Sequence, residues 1–155
     1  MNTSAILRTE KLSRSFWGLK ALTGVDIELK ENEILGVIGP NGAGKTTLIN
    51  VLCGIFPPTE GKIFYQGKDI SGLPSHIRCR MGIMRTFQIS RPLRDLRLLE
   101  NVMTGALFGL GCSMREARKR ATETCEFMGI PDVNKSLVKM TALDIKKMEV
   151  ARALC

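Results

Sequence analysis

Residues 34–46 constrain this chain more than any other segment. Ile34-Leu35-Gly36-Val37-Ile38 is an unbroken apolar run, and Gly39-Pro40-Asn41-Gly42-Ala43-Gly44-Lys45-Thr46 follows it directly. The run predicts a strand covered on both faces in a parallel sheet. The eight residues after it satisfy G-x-x-x-x-G-K-[ST] at every fixed position. Leu48, Val51 and Leu52 then recur at helical spacing, and Gly54 can end that helix in the left-handed conformation. Glycines in such a loop let the backbone turn tightly and aim N–H groups inward. The helix N-terminus adds partial positive charge for a phosphate chain. Lys45 sets a full charge beside the terminal phosphates, the Thr46 hydroxyl suits Mg²⁺, and Thr47 adds a further hydrogen bond. The expected ligand is a nucleoside triphosphate, Mg-ATP before others.

The flanking segments supply the rest of an α/β reading. Ile6 to Leu12 and Val25 to Leu29 alternate apolar and polar residues as half-exposed strands do, with Gly18 and Gly24 in the connection. Pro57 and Pro58 force an extended or turning stretch, and Lys62 to Gln66, between Gly61 and Gly67, reads as a further strand. From Leu96 the pattern turns helical. Ser113 and Glu116 form a capping box, so a helix should start near Met114. Met114, Ala117, Ala121, Cys125 and Met128 make one stripe, and Gly129 and Pro131 stop it. Thr141 and Asp144 give a weaker start signal for a last helix running to the C-terminus.

Composition narrows the partners. A chain of 155 residues is expected to fold as one domain. Its net charge is +8, with basic residues concentrated between Arg78 and Arg120, but no interleaved aromatics mark a single-strand groove. Five cysteines without a C-x-x-C pair, and a single histidine, His76, argue against zinc and suit reduced thiols. The uncharged stretch from Asn101 to Met114 falls short of the ~20 apolar residues of a membrane span. Any membrane link is therefore expected through a partner.

From Leu7 to Leu154 the chain resembles the ATP-binding subunit of an ABC transporter. The loop spelling Gly-Pro-Asn-Gly-Ala-Gly-Lys-Thr-Thr is typical of that family. Ser15-Phe16-Trp17-Gly18-Leu19-Lys20-Ala21-Leu22 resembles its aromatic loop, with Phe16 matching the ring that stacks on adenine. Arg85-Thr86-Phe87-Gln88 resembles its glutamine loop, which implies that Gln88 reaches Mg²⁺ and the attacking water and that this region faces the permease. Asp69 to Pro74, Gly82 to Gln88 and Leu98 to Met103 are spelled as in branched-chain amino acid importer ATPases, of the first of their two subunit types. The resemblance implies a P-loop NTPase core of ABC type, with N-terminal antiparallel strands and a helical subdomain. Its parts would be residues 1–95 for the nucleotide-binding core, 96–140 for the helical subdomain and 141–155 for the signature and the start of its helix. A second ATPase subunit and an integral membrane permease are the implied partners, with no nucleic acid.

Two departures from the family stand out. Its Leu-Ser-x-Gly-Gln signature is replaced by Met140-Thr141-Ala142-Leu143-Asp144. Thr141 keeps a hydroxyl, Ala142 fills the variable position, Leu143 hinders close approach to a phosphate, and Asp144 adds negative charge where the opposite subunit's γ-phosphate is expected. The contact to the opposite nucleotide should be weakened. The family's apolar strand ending in Asp-Glu is also not among these 155 residues, nor is its switch histidine. The sheet is expected to be incomplete, as in a truncated chain. ATP binding by the chain alone should then be weak, without turnover. A binding-only nucleotide module is the alternative, and a DNA-linked P-loop ATPase a lesser one.

Overall fold

The computed structural model describes residues 5–155. Two compact units divide the chain, one ending at Arg78 and the other running from Cys79 to Cys155.

The first unit is built on a four-stranded antiparallel sheet. β1 (Ala5–Phe16) and β2 (Leu19–Lys30) form a hairpin, β3 (Glu60–Tyr65) pairs with the other edge of β1, and β4 (Lys68–Asp69) pairs with β3. The hairpin turn is Trp17-Gly18, with φ of 46° and 88°. Positive φ at both central residues matches the right-handed twist of the strands. Gly24 is not in this connection, as its punctuation suggested. It lies inside β2 at φ 59°, near an irregularity in the β1–β2 register. Leu12, Leu22, Ile63 and Ile70 are buried, and so are Leu48, Val51 and Leu52 of α1 (Lys45–Leu52).

The carbonyls at the end of α1 are taken up by Arg78 of α2 (Ser75–Arg80). Its Nη1 donates to Val51 O and Leu52 O at 2.8 Å each, Nε to Leu73 O at 2.9 Å, and Nη2 to Ser71 O at 3.0 Å. A cation at a helix C-terminus meets the negative end of the macrodipole and satisfies otherwise orphan acceptors. Burial lowers the Arg78 pKa from its usual value, and these carbonyls are what the buried guanidinium has instead of water.

One expectation fails here. Residues 34–38 form no strand, and no segment among the described residues pairs with them. Ile34 is 98% exposed and Ile38 97%. An apolar run becomes a buried parallel strand only between neighbours that satisfy its backbone and cover its faces. The four strands of this sheet are instead paired with each other, all antiparallel.

The second unit is helical. α3 (Leu98–Gly105) runs into one π-turn over Ala106–Leu110, followed by α4 (Met114–Phe127), a short 3₁₀ turn at Leu137–Lys139 and α5 (Ala142–Leu154). Its core joins Leu98, Val102 and Ala106 to Ala117, Ala121 and Cys125 and to Met148 and Ala151. The Ser113–Glu116 capping box opens α4 as expected. The stripe is narrower than the spacing implied, because Ala117, Ala121 and Cys125 are buried while Met114 is exposed. Small residues on the inner face of α4 let α3 and α5 approach closely. Gly105 makes the same allowance, since a Cβ there would collide with the Arg152 carbonyl oxygen.

Candidate nucleotide site

The first unit holds the glycine-rich loop from Gly39 to Thr46 that the sequence reads as a phosphate site. Gly42 and Gly44 sit at φ 83° and 85°, the left-handed region that glycine enters without strain. Gly44 is the N-cap of α1, and no side chain caps that end. The Leu48 N–H closes on Gly44 O at 2.8 Å. By helix geometry the amides of Lys45, Thr46 and Thr47 are therefore the orphan donors of the first turn. Gly44 also lies against β2, where a Cβ would stand 2.5 Å from Ala21 O.

Lys45 turns back into the loop. Its Nζ donates to Gly39 O at 2.6 Å and to Pro40 O at 2.7 Å. Two of its three donors are thus used to fix the ammonium beside the loop backbone. Asn41, Gly42, Ala43 and Thr46 are exposed, and Thr47 is half-buried. Phe16 ends β1 half-buried, edge-on to Phe56 at 5.1 Å between centroids, with the Arg14 guanidinium 4.5 Å from its ring centre. The sequence pattern did not signal this Arg14–Phe16–Phe56 cluster.

The second unit holds the glutamine-loop and signature-like segments. Gln88 is exposed in a bend. The preceding Phe87 ring has Arg85 and Arg91 guanidinium groups 4.3 and 5.4 Å from its centre. Glu149 of α5 is a buried carboxylate that lies far downstream in sequence but packs against the residues following this bend. It accepts from Ser90 Oγ and from the Arg91 N–H, each at 2.9 Å. Burial raises its pKa, but the Arg91 N–H, the Ser90 hydroxyl and the Lys146 ammonium outweigh that and hold it below the usual carboxylate range.

Thr141 caps α5 in a full capping box with Asp144. Asp144 Oδ2 accepts from Lys135 Nζ at 2.7 Å, Thr141 N at 2.8 Å and Thr141 Oγ1 at 2.9 Å. These bonds, that of Lys135 first, lower its pKa to about 2. The charge at Asp144 is therefore engaged by a cation and by the helix end. Ala142 and Leu143 are exposed in the first turn of α5. Sequence reading passed over Lys135, Glu149 and Arg78. A glutamate beside the buried Met148, flanked by Lys146 and Arg152 three residues to either side, was the available signal for the second of these.

Comparison with known proteins places the chain. The family model described as ABC transporter matches residues 22–155. A probable branched-chain amino acid transport ATP-binding protein LivG of Archaeoglobus fulgidus is 51% identical over 98 residues, which are 63% of this chain and 38% of that protein. The high-affinity branched-chain amino acid transport ATP-binding protein LivG of Salmonella typhimurium is 35% identical over 164 aligned positions, covering 96% of this chain and 64% of that protein. The crystal structure of the ADP conformation of an ATP-binding cassette of an ABC transporter superposes with a TM-score of 0.84 at 32% identity, covering 98% of this chain and 65% of that one. The chain thus spans less than two thirds of the length of each of these relatives.

Proposed function

The chain belongs to the ABC transporter family, and on that premise we propose that it serves as an ATP-binding subunit of an importer, with branched-chain amino acids as cargo. The observation that carries the reading is the Lys45 ammonium fixed on Gly39 O and Pro40 O at the open N-terminus of α1. One donor of Lys45 and the first-turn amides of α1 then face the same kind of ligand, a chain of phosphates. Gly39 to Thr47 cradle the β- and γ-phosphates, and Phe16 takes the adenine face.

The donor chemistry fits Mg²⁺ carried by the nucleotide. Among the described residues no cluster of three or more His, Cys, Asp or Glu is gathered to hold a metal. Mg²⁺ is commonly held by one or two protein oxygens plus phosphates. The exposed Thr46 hydroxyl is the hard oxygen that the first unit offers, and Gln88 of the second unit is proposed as a further oxygen ligand on the family resemblance alone. Bound there, the metal would neutralise charge on the terminal phosphates. Thr141 and the N-terminus of α5 reach a nucleotide on a second ATPase subunit. With Asp144 held by Lys135 and the Thr141 hydroxyl donated to Asp144, that contact is left to the first-turn amides of α5.

Among the described residues no helix is long and apolar enough to cross a membrane. Attachment at the cytoplasmic face of the membrane is through a permease, on the glutamine-loop side. The importer reading rests on the relatives' names, which are branched-chain amino acid transport ATP-binding proteins. The test is leucine uptake in cells that express the chain with its permease. Uptake that depends on Lys45 is expected. Uptake unchanged by Lys45→Ala would remove this chain from the transport step.

A further inference from the structure

One face of α5 holds the loop of Gln88 on both sides. Lys146, Glu149 and Arg152 follow each other at three-residue spacing, so their side chains share a helix face. Lys146 Nζ donates to Phe87 O at 2.6 Å, immediately before Gln88. Glu149 receives Ser90 Oγ and the Arg91 N–H, just after it. Arg152 Nη1 and Nη2 lie 3.5 and 3.4 Å from Arg91 O. Lys146 and Arg152 also approach the Glu149 carboxylate, at 3.4 and 3.9 Å. The carboxylate is almost wholly buried, whereas Gln88 and Ile89 between the anchors are exposed. A buried charge whose partners are removed is strongly unfavourable. A loop that left α5 would take two hydrogen bonds from Glu149 and leave it only Lys146 and Arg152 of its own helix.

We infer that Glu149 is a positioning residue for Gln88, clamping the glutamine loop to α5 so that the loop and the Thr141 end of that helix move as one piece. The inference rests on the nucleotide reading above for its purpose, and on the contacts of the second unit alone for its geometry. A loop pinned at Phe87 and at Ser90–Arg91 leaves Gln88 with few backbone conformations. Its amide is then presented at a fixed distance from α5. A displacement of the α5 N-terminus by a second subunit would be carried to Gln88 by a rigid helix.

The test is amide hydrogen exchange on the full 155-residue chain, without nucleotide, for the unsubstituted protein, Glu149→Gln and Lys146→Met. Glu149→Gln keeps the shape but sets an amide N–H₂ among Lys146 and Arg152. Lys146→Met removes the Phe87 anchor and the 3.4 Å contact with Glu149 from an exposed position, where substitutions are usually tolerated, so it keeps the test open if the first variant fails to fold. Loss of a charge-assisted bond should speed exchange over residues 87–91 by about tenfold or more, with α3 and α4 unchanged. Unchanged exchange at 87–91 in both variants overturns the clamp. An equal rise across α3, α4 and α5 also overturns it, because Glu149 then serves general stability. ATP titrations with Mg²⁺ and with EDTA give the second readout. Glu149→Gln should lower the metal-dependent gain in affinity and keep the metal-free affinity, a split that a purely structural role would not produce. The exchange comparison contains no nucleotide, so it decides the clamp even where the Lys45→Ala control shows the nucleotide reading to be wrong.

Discussion

Replacing Gly44 by alanine separates two demands that the phosphate loop makes on one residue. The backbone there is left-handed, at φ 85°. An L-residue in that region costs about 1–2 kcal/mol. The added Cβ would also stand 2.5 Å from Ala21 O and 3.0 Å from Leu22 Cδ2, where ordinary contact begins at 3.4 Å. The nearest atom is backbone of β2, so it does not rotate away, and overpacking of this kind costs about 1–3 kcal/mol. Gly44→Ala should thus destabilise the chain by about 2–5 kcal/mol, a large share of a typical domain's stability. Gly42→Ala is the control. It has nearly the same φ, 83°, but no heavy atom within 4 Å of its Cβ. It should cost about 1–2 kcal/mol, the backbone part alone. The gain from a less flexible unfolded chain is common to both and cancels in the difference. Urea unfolding of the two variants gives that difference directly. Equal losses, or a larger loss for Gly42→Ala, would refute the close contact between the loop and β2.

Two further perturbations probe the rest of the chain. Ile34→Ser and Ile38→Ser should each change unfolding free energy by no more than about 0.5 kcal/mol, since both side chains are almost fully exposed, and should reduce aggregation; a loss of about 2 kcal/mol or more would mean that the run is buried after all. Cys125 has its thiol pKa raised from 9.0 to about 11, by burial first and then by Cys155 and Glu126. The neutral thiol's contribution is complete below pH 9 and is lost as pH rises from 9 towards 11, because the unfolded chain ionises first. The stability difference between the unsubstituted protein and Cys125→Ala should therefore shrink across that window, and a pH-independent difference would contradict the burial of this thiol.

Much of the local geometry of the candidate site was readable from local chemistry. The left-handed glycines of the loop, the α1 start and Gly54 at its end follow from residues adjacent in sequence, where glycine geometry and helix termini decide the outcome. The same holds for Ser113–Glu116 and Thr141–Asp144, whose capping boxes close within four residues. Residues 34–38 show the limit of that reasoning. Their apolarity states what they would bury, but strand formation depends on partners that no local window contains. Lys135 on Asp144 and Arg78 on the α1 carbonyls were likewise invisible, and the flanking Lys146 and Arg152 hinted at Glu149 without revealing Ser90 and Arg91, since each contact joins residues that only the fold brings together. The fate of Asp144 changed with that knowledge. Its charge reads from sequence as an obstacle to a phosphate, whereas in the structure it is tied to Lys135 and the Thr141 cap.

The loop from Gly39 to Thr47 as a triphosphate site is the claim on which the rest depends. A fluorescence titration with a ribose-labelled ATP analogue in Mg²⁺, run on the chain and on Lys45→Ala, tests it most directly. Removing a charged donor to the terminal phosphates should weaken binding by about tenfold or more, while AMP, which lacks those phosphates, binds both proteins alike. Equal affinity of the two proteins for the triphosphate would contradict the claim.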